Sequence, residues 1–287
     1  MSAAAFLTEK AQKTERAMAA YCDGLSRVPA ALDKAIRYSL FAEGKRLRPA
    51  LVLGAAELVC GDDLIALPAA CAIEMIHCYS LIHDDLPAMD DDDLRRGKPT
   101  LHKMYGEAIA ILAGDALMAM AFDIAAQAND IRIIREIAQA SGPAGMAGGQ
   151  TLDIESERKQ VTLEALRVLH LRKTGDLIRA SARCGAILAG AEDRVLAALT
   201  RYGEHVGLAF QIADDILDVV GTEQDLGKQA GGDAAHGKAT YPAVVGLDRS
   251  RELAAASAEA AVETLREFGP EADNFRQLAR FVVERSN

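Results

Sequence analysis

Two stretches of this chain are apolar almost all the way round a helix, yet each carries one stripe of polar and acidic side chains. In ACAIEMIHCYSLIHDD, residues 70 to 85, Glu74, His77, Ser80 and Asp84 share a stripe, and His77 and Asp84 stand seven residues apart on one face. In HVGLAFQIADDILDVV, residues 205 to 220, Gln211, Asp214, Asp215 and Asp218 fall at i, i+3, i+4 and i+7. Helices with so little polar surface belong at the centre of a bundle. Carboxylates held there are costly unless they are paired or ligate a metal, and their mutual repulsion adds to the cost. Cations are therefore required, and an oxygen-only ligand set with no His or Cys at metal spacing selects a hard ion. Mg²⁺ is favoured above all when a substrate supplies phosphate oxygens, and zinc is disfavoured.

The rest of the chain agrees with a helical bundle. Half of the 287 residues are hydrophobic, aromatics make up 5% and Trp is absent, a mixture rich in Ala, Leu and Ile that packs helices closely. Eight prolines punctuate long helix-favouring stretches, and nothing reads as strand-rich. The Gly-containing segments 141 to 149 and 227 to 237 interrupt the pattern, the second reading as a mobile loop. Without a linker or a fixed-period repeat, residues 1–287 read as one all-α domain.

Charge narrows the partners. A formal net charge of −10 argues against a sequence-independent grip on nucleic acid or anionic lipid, so an anionic substrate needs a local basic site or bound cations. The N-terminus carries Glu9, Lys10 and Lys13 where a secretory signal needs an apolar run. No stretch reaches about 18 consecutive apolar residues, which predicts neither export nor a membrane span. Five cysteines (Cys22, Cys60, Cys71, Cys78, Cys184) without CxxC spacing fit a reducing compartment, and the expected location is cytoplasmic.

The run Asp90 to Asp93, taken alone, reads as a solvated charge cluster at a helix end. It is not a calcium loop of the EF-hand kind, because Arg95 falls where the Gly belongs and Leu101 where the bidentate Glu belongs. Basic residues lie nearby in sequence: Lys45, Arg46 and Arg48 in EGKRLRP, and Arg95 and Arg96 directly after the acidic run. On local evidence these are equally ordinary surface charges or phosphate ligands.

SLIHDDLPAMDDDDLRRGKPT resembles the first aspartate-rich motif of trans-prenyl diphosphate synthases, in the bacterial form with two extra residues between the second and third motif aspartates. FQIADDILDVVG resembles their second aspartate-rich motif, and the resemblance runs from about residue 40 to 245, most similar to the bacterial farnesyl diphosphate branch. It implies an all-α isoprenoid synthase fold, with central helices around a deep cavity and the two motifs facing each other across its mouth. Asp84, Asp85 and Asp90 on one wall, and Asp214, Asp215 and Asp218 on the other, are then Mg²⁺ ligands, for three ions once substrate is bound. Lys45, Arg48, His77 and Arg96 are implied to hold isopentenyl diphosphate. Arg95, Lys173, Lys228 and Lys238 are implied to hold the allylic diphosphate, either dimethylallyl or geranyl. Gln150 and Asp153 of GGQTLD also match a family element, with a supporting role. A homodimer is implied.

The implied reaction is ionisation, condensation and elimination without a protein nucleophile. The Thr174 carbonyl and the Gln211 side chain are the dipoles expected beside the allylic cation. Tyr79, five residues before Asp84 and roughly 7 to 8 Å deeper along a helix, is the implied floor that stops growth at farnesyl diphosphate. A geranylgeranyl diphosphate synthase is the nearest alternative, and a non-catalytic partner subunit the alternative from another class. A class I terpene cyclase is disfavoured, because NDIRIIREI has Ile133 and Ile137 where its second metal motif needs Ser and Glu. Three positions depart from the family pattern: Thr222 after VVG, Asp176 beside Lys173 and Thr174, and a tail ending FVVERSN without a terminal lysine.

Overall fold

The structure, a computed structural model, describes residues 1–221 and 237–284. Lys228, Thr222 and the last three residues lie outside them, as does most of the segment read as a mobile loop. The described residues are all-α apart from one two-residue hairpin, as the composition predicts.

Helices α1 (Ala3–Gly24), α2 (Ala30–Leu40), α3 (Leu47–Cys60) and α4 (Leu67–Asp84) lead to the hairpin β1 (Leu94–Arg95) and β2 (Lys98–Pro99). Then come α5 (Leu101–Tyr105), α6 (Glu107–Ala126), α7 (Ile131–Ser141), α8 (Met146–Ser156) and α9 (Leu163–His170). A π turn, Leu171–Gly175, joins α9 without a break to α10 (Asp176–Leu188). The 28-residue α11 (Asp193–Val220) follows, then α12 (Tyr241–Val245), α13 (Leu247–Thr264) and α14 (Asp273–Glu284). Proline acts where its missing N–H does least harm: Pro49 and Pro68 sit in the first turns of α3 and α4, and Pro29 caps α2.

The two apolar helices are central. Ile73, Met75 and Ile76 of α4 are fully buried, and α4 packs on α6, α3 and α1. Helix α11 packs on α10 and α13, and Tyr202 buries its ring while its hydroxyl donates to the Phe275 carbonyl at 2.7 Å. The segments Leu64–Asp84 and Glu107–Ala126 have the length and hydropathy of membrane spans, which the count of consecutive apolar residues did not register. The fold packs them against each other as core helices.

Charge buried in this core is paired. Lys10 has no exposed side-chain surface and lies 2.7 Å from Asp63 and 2.8 Å from Glu57. Arg46, which the sequence presents as one of three surface-type cations, is buried. It donates to Glu74 at 2.6 Å, to Glu15 at 3.0 Å and to the carbonyls of Leu40 and Ala42. Arg46 thus ties α1, α4 and the end of α2 together and fixes both the loop that presents Lys45 and the start of α3, which carries Arg48.

Candidate active site

A cavity of about 900 Å³ opens between α4, α8, α11 and the π turn. Residues close to the C-termini of α4, α8 and α11 line it, among them Asp84, Ile154 and Asp218. Asp90 N–H bonds back to the Asp84 carbonyl beyond α4, and Arg158 beyond α8 bonds the Gly237 carbonyl. Asp84 and Asp90 line one wall, and Asp214 and Asp218 line the other, so the two acidic stripes share one hollow.

The expected cations converge on it. Lys45, Arg48, His77, Arg95 and Arg96 line the α4 side, and Lys173 and Lys238 the opposite side. Lys173 donates to Asp153 at 2.5 Å, and Lys238 lies 2.7 Å from Asp90 and 3.4 Å from Asp153. Burial would raise the Asp153 carboxyl, but Lys173 and Lys238 outweigh it and hold it below its ordinary range. Asp153 therefore stays charged and gathers both lysines, a more specific part than the general support expected from GGQTLD. Burial, with a small push from Arg96, pulls Arg48 down to about 10, against the opposing charges of Glu74 and Asp214. Burial and the neighbouring Arg48 and Arg96 hold His77 well below its usual value, so it meets a ligand as a neutral ring. Desolvation also raises Asp84, with Asp90 adding to it against the pull of Lys173.

Two expected metal ligands are engaged otherwise. Asp85 does not line the cavity, and one of its oxygens takes both Nε and Nη2 of Arg95, at 2.6 and 2.5 Å. Its geometry is that of a strut that aims Arg95, with Asp92 bracing the same guanidinium at 2.9 Å. Asp215 borders the cavity, but its oxygens are taken: Oδ2 by His170 Nε2 at 3.1 Å and the Tyr241 N–H at 2.9 Å, Oδ1 by Gln211 Nε2 at 3.0 Å. Both aspartates, read from the motifs as metal ligands, are better placed to orient their neighbours. The reason is their position: Asp85 follows Asp84 past the end of α4, and Asp215 follows Asp214 one step, about 100°, round α11.

His170 was not singled out by the sequence reading. It stacks on Tyr241, ring centroids 5.5 Å apart, and bonds an aspartate 45 positions away, contacts that no local pattern in the sequence signals. The π turn beside it carries Lys173 and Thr174. An added Cβ on Gly149 of α8 would lie 2.2 Å from Lys173 N, and one on Gly207 of α11 would lie 2.7 Å from Gly175 Cα. Both helices press backbone to backbone on the turn. Thr174 Oγ1 donates to Gln211 Oε1 at 2.7 Å, so the two residues expected beside the cation are held to each other.

The donors suit magnesium. Asp84, Asp90, Asp214 and Asp218 offer only carboxylate oxygens. Among the described residues no group of three or more His, Cys, Asp or Glu side chains is assembled closely enough to hold an ion alone. Mg²⁺ commonly completes its octahedron with water and substrate phosphate oxygens, so carboxylates for it need not be gathered in threes.

Comparison with known proteins agrees with this geometry. Residues 29–274 match the family model described as polyprenyl synthetase. The chain is 48% identical over 274 residues to farnesyl diphosphate synthase of Geobacillus stearothermophilus, covering 93% of this chain and 92% of that protein. It is 46% identical over 272 residues to a chloroplastic geranylgeranyl pyrophosphate synthase of Catharanthus roseus, covering 92% and 76%. The solved geranyltransferase of Helicobacter pylori, complexed with magnesium and isoprenyl diphosphate, superposes with a TM-score of 0.83 at 31% identity over 97% and 96% of the two chains. With its two acidic walls across one cavity and its basic groups around the mouth, this chain belongs to the polyprenyl synthetase family and is a prenyltransferase.

Proposed function

We propose that the enzyme joins isopentenyl diphosphate head to tail with dimethylallyl or geranyl diphosphate and releases farnesyl diphosphate. The observation that carries the product assignment is Tyr79, which lines the cavity five residues below Asp84 and meets the His83 ring edge to face at 5.7 Å. A large aromatic at that depth limits the length of chain the cavity accepts. The similarity to a geranylgeranyl pyrophosphate synthase supports a second reading, a twenty-carbon product from the same chemistry.

Mg²⁺ held by Asp84, Asp90, Asp214 and Asp218 supplies charge neutralisation to the departing diphosphate. Lys173 and Lys238, gathered by Asp153, and Arg95, aimed by Asp85, donate to the same group. Arginine suits this task because its planar fork matches phosphate oxygens in pairs. Lys45, Arg48, Arg96 and the neutral His77 hold the second diphosphate on the α4 side without a metal. Lys228 keeps its proposed place among the allylic diphosphate ligands on the family resemblance alone. After the C–O bond breaks, the isopentenyl double bond attacks the allylic carbon, and a proton leaves to the released diphosphate.

The non-catalytic reading is disfavoured, since acidic ligands and phosphate-type cations both line the cavity. A homodimer, with one domain per chain, is supported by α6, whose outer face leaves Ile111, Leu112 and Met118 exposed. A cytoplasmic setting is supported by five unpaired cysteines, four of them buried. Incubation of the purified protein with isopentenyl diphosphate, each allylic primer and Mg²⁺, followed by mass identification, tests the proposal. A fifteen-carbon diphosphate is expected; a dominant twenty-carbon product sinks the farnesyl assignment, and no product sinks the reaction.

A further inference from the structure

The cations on the α4 side of the cavity come from two distant parts of the chain. Lys45 and Arg48 belong to the loop before α3 and its first turn, and Arg96 to the tip of the hairpin β1–β2. Arg95 pairs with Lys98, so Arg96 and Gly97 make the turn between the strands, with φ of +54° and +75°. A two-residue turn with both φ values positive favours Asn, Asp or Gly at its first position. An arginine there bears backbone strain that the hairpin itself does not require.

Its side chain reaches across to the other segment. Nη1 donates to the Glu43 carbonyl at 2.5 Å, in the loop between α2 and α3. A Cβ added at Gly44 would lie 2.4 Å from Nη1, 2.9 Å from Cζ and 3.2 Å from Nη2, so the guanidinium rests directly on residue 44. The backbone does not demand glycine there, since Gly44 is not among the residues with positive φ. What the position demands is the absence of a side chain. Gly44 and Arg96 both line the cavity, beside Lys45, Arg48 and His77.

We propose that Gly44 is a positioning residue for isopentenyl diphosphate, its bare backbone being the seat that holds Arg96 in place before the substrate arrives. The inference rests on the prenyl-transfer reading above, in which Arg96 is a ligand of that diphosphate. A long side chain ordered in advance loses less freedom on binding, which favours the complex. The bond to Glu43 uses one of five N–H groups, so the planar fork keeps donors for phosphate oxygens. Arg95, the next residue, is aimed separately by Asp85 and Asp92, and Tyr38 Oη holds the far strand through the Pro99 carbonyl at 2.8 Å. Displacing Arg96 therefore leaves the allylic side of the site in place.

The test is Gly44→Ala, alone and combined with Arg96→Ala, measured by titration calorimetry with isopentenyl diphosphate and separately with geranyl diphosphate, each with Mg²⁺. The added methyl meets the mobile end of one side chain, so the single variant should fold with a thermal midpoint equal to or above the native one. Its Kd for isopentenyl diphosphate should rise about tenfold, the size expected for a weakened bond to a charged group. Its Kd for geranyl diphosphate should stay within about twofold of native. In the Arg96→Ala background the same substitution should leave the isopentenyl diphosphate Kd unchanged, because the group it displaces is already gone. A lowered midpoint or an unfolded Gly44→Ala would make the glycine structural and overturns the proposal. So does an unchanged isopentenyl diphosphate Kd in Gly44→Ala or in Arg96→Ala, equal weakening of both diphosphates, or an equal loss in both backgrounds. A native protein that does not bind isopentenyl diphosphate overturns instead the prenyl-transfer reading beneath it.

Discussion

Lys238 lies 2.7 Å from Asp90, 148 positions earlier in the chain, and so places a protein cation on a carboxylate offered to magnesium. Diphosphate and metal arriving together give each partner a replacement, whereas metal alone must compete with the lysine. Lys238→Met should therefore bind Mg²⁺ about tenfold more tightly in calorimetry without diphosphate, because a like charge has gone. Turnover should fall by at least about tenfold, because a donor to the leaving group has gone too. Unchanged metal affinity would show that the contact with Asp90 carries no competition.

Asp214 and Asp215 are adjacent in sequence but differ in their surroundings. Asp214→Asn should raise the Mg²⁺ concentration needed for half-maximal activity and cut kcat by about a hundredfold or more. Asp215→Asn should leave the Mg²⁺ requirement in place and lower stability by about 1–3 kcal/mol, because His170, Gln211 and the Tyr241 N–H share a charged acceptor. A magnesium titration of activity and a urea melt on both variants separate the roles; equal shifts in metal requirement would restore Asp215 to the ligand set.

Burial lifts the Asp85 carboxyl to about 6, against the opposing pull of Arg95. Above that pH the group is charged and aims Arg95; below it the proton is taken up and the pair is lost. The folded value lies above the ordinary 3.8, so this group's contribution to stability is greatest below 3.8 and declines as pH rises through 6. Acid therefore removes the aim of Arg95 without costing the fold anything through Asp85. For the allylic diphosphate, kcat/KM should fall by up to about tenfold per pH unit below 6 while circular dichroism stays constant. A flat profile down to pH 5 contradicts this.

Tyr79 should behave as a stop for the growing chain. Tyr79→Ala is expected to shift products from fifteen toward twenty carbons, with total turnover within about threefold, since one side-chain volume is gone and no diphosphate contact changes. Mass analysis of products from geranyl diphosphate checks it; an unaltered distribution rules out Tyr79 as the floor.

The helical stripes were legible because a 3.6-residue period converts spacing directly into a shared face, and Asp84, Asp214 and Asp218 line the cavity as that period predicts, whereas Asp90 lies in the turn beyond α4 and was placed by the resemblance alone. What the period did not reveal is the contacts of their neighbours: Asp85 and Asp215, each one residue further on, turn toward Arg95 and His170. Arg46 was left between surface charge and phosphate ligand, because its four partners come from three separated segments. The pairing of Thr174 with Gln211 spans 37 positions and is a product of packing, which no local pattern encodes.

The π turn at Leu171–Gly175 has a consequence for how this site can change. One surplus residue in an otherwise continuous rod sets the phase between everything before it and everything after it. The wider turn absorbs that residue, so the faces of α10 keep the phase they would have without it; drawing the same five residues into an ordinary α-helix would instead swing the downstream faces by about 100° relative to those upstream. Such a regularised protein would retain each lysine, threonine and aspartate of the site and point them out of phase with one another. The turn thus acts as a frame marker in space: the chemistry depends on the width of the turn as well as on the side chains it carries.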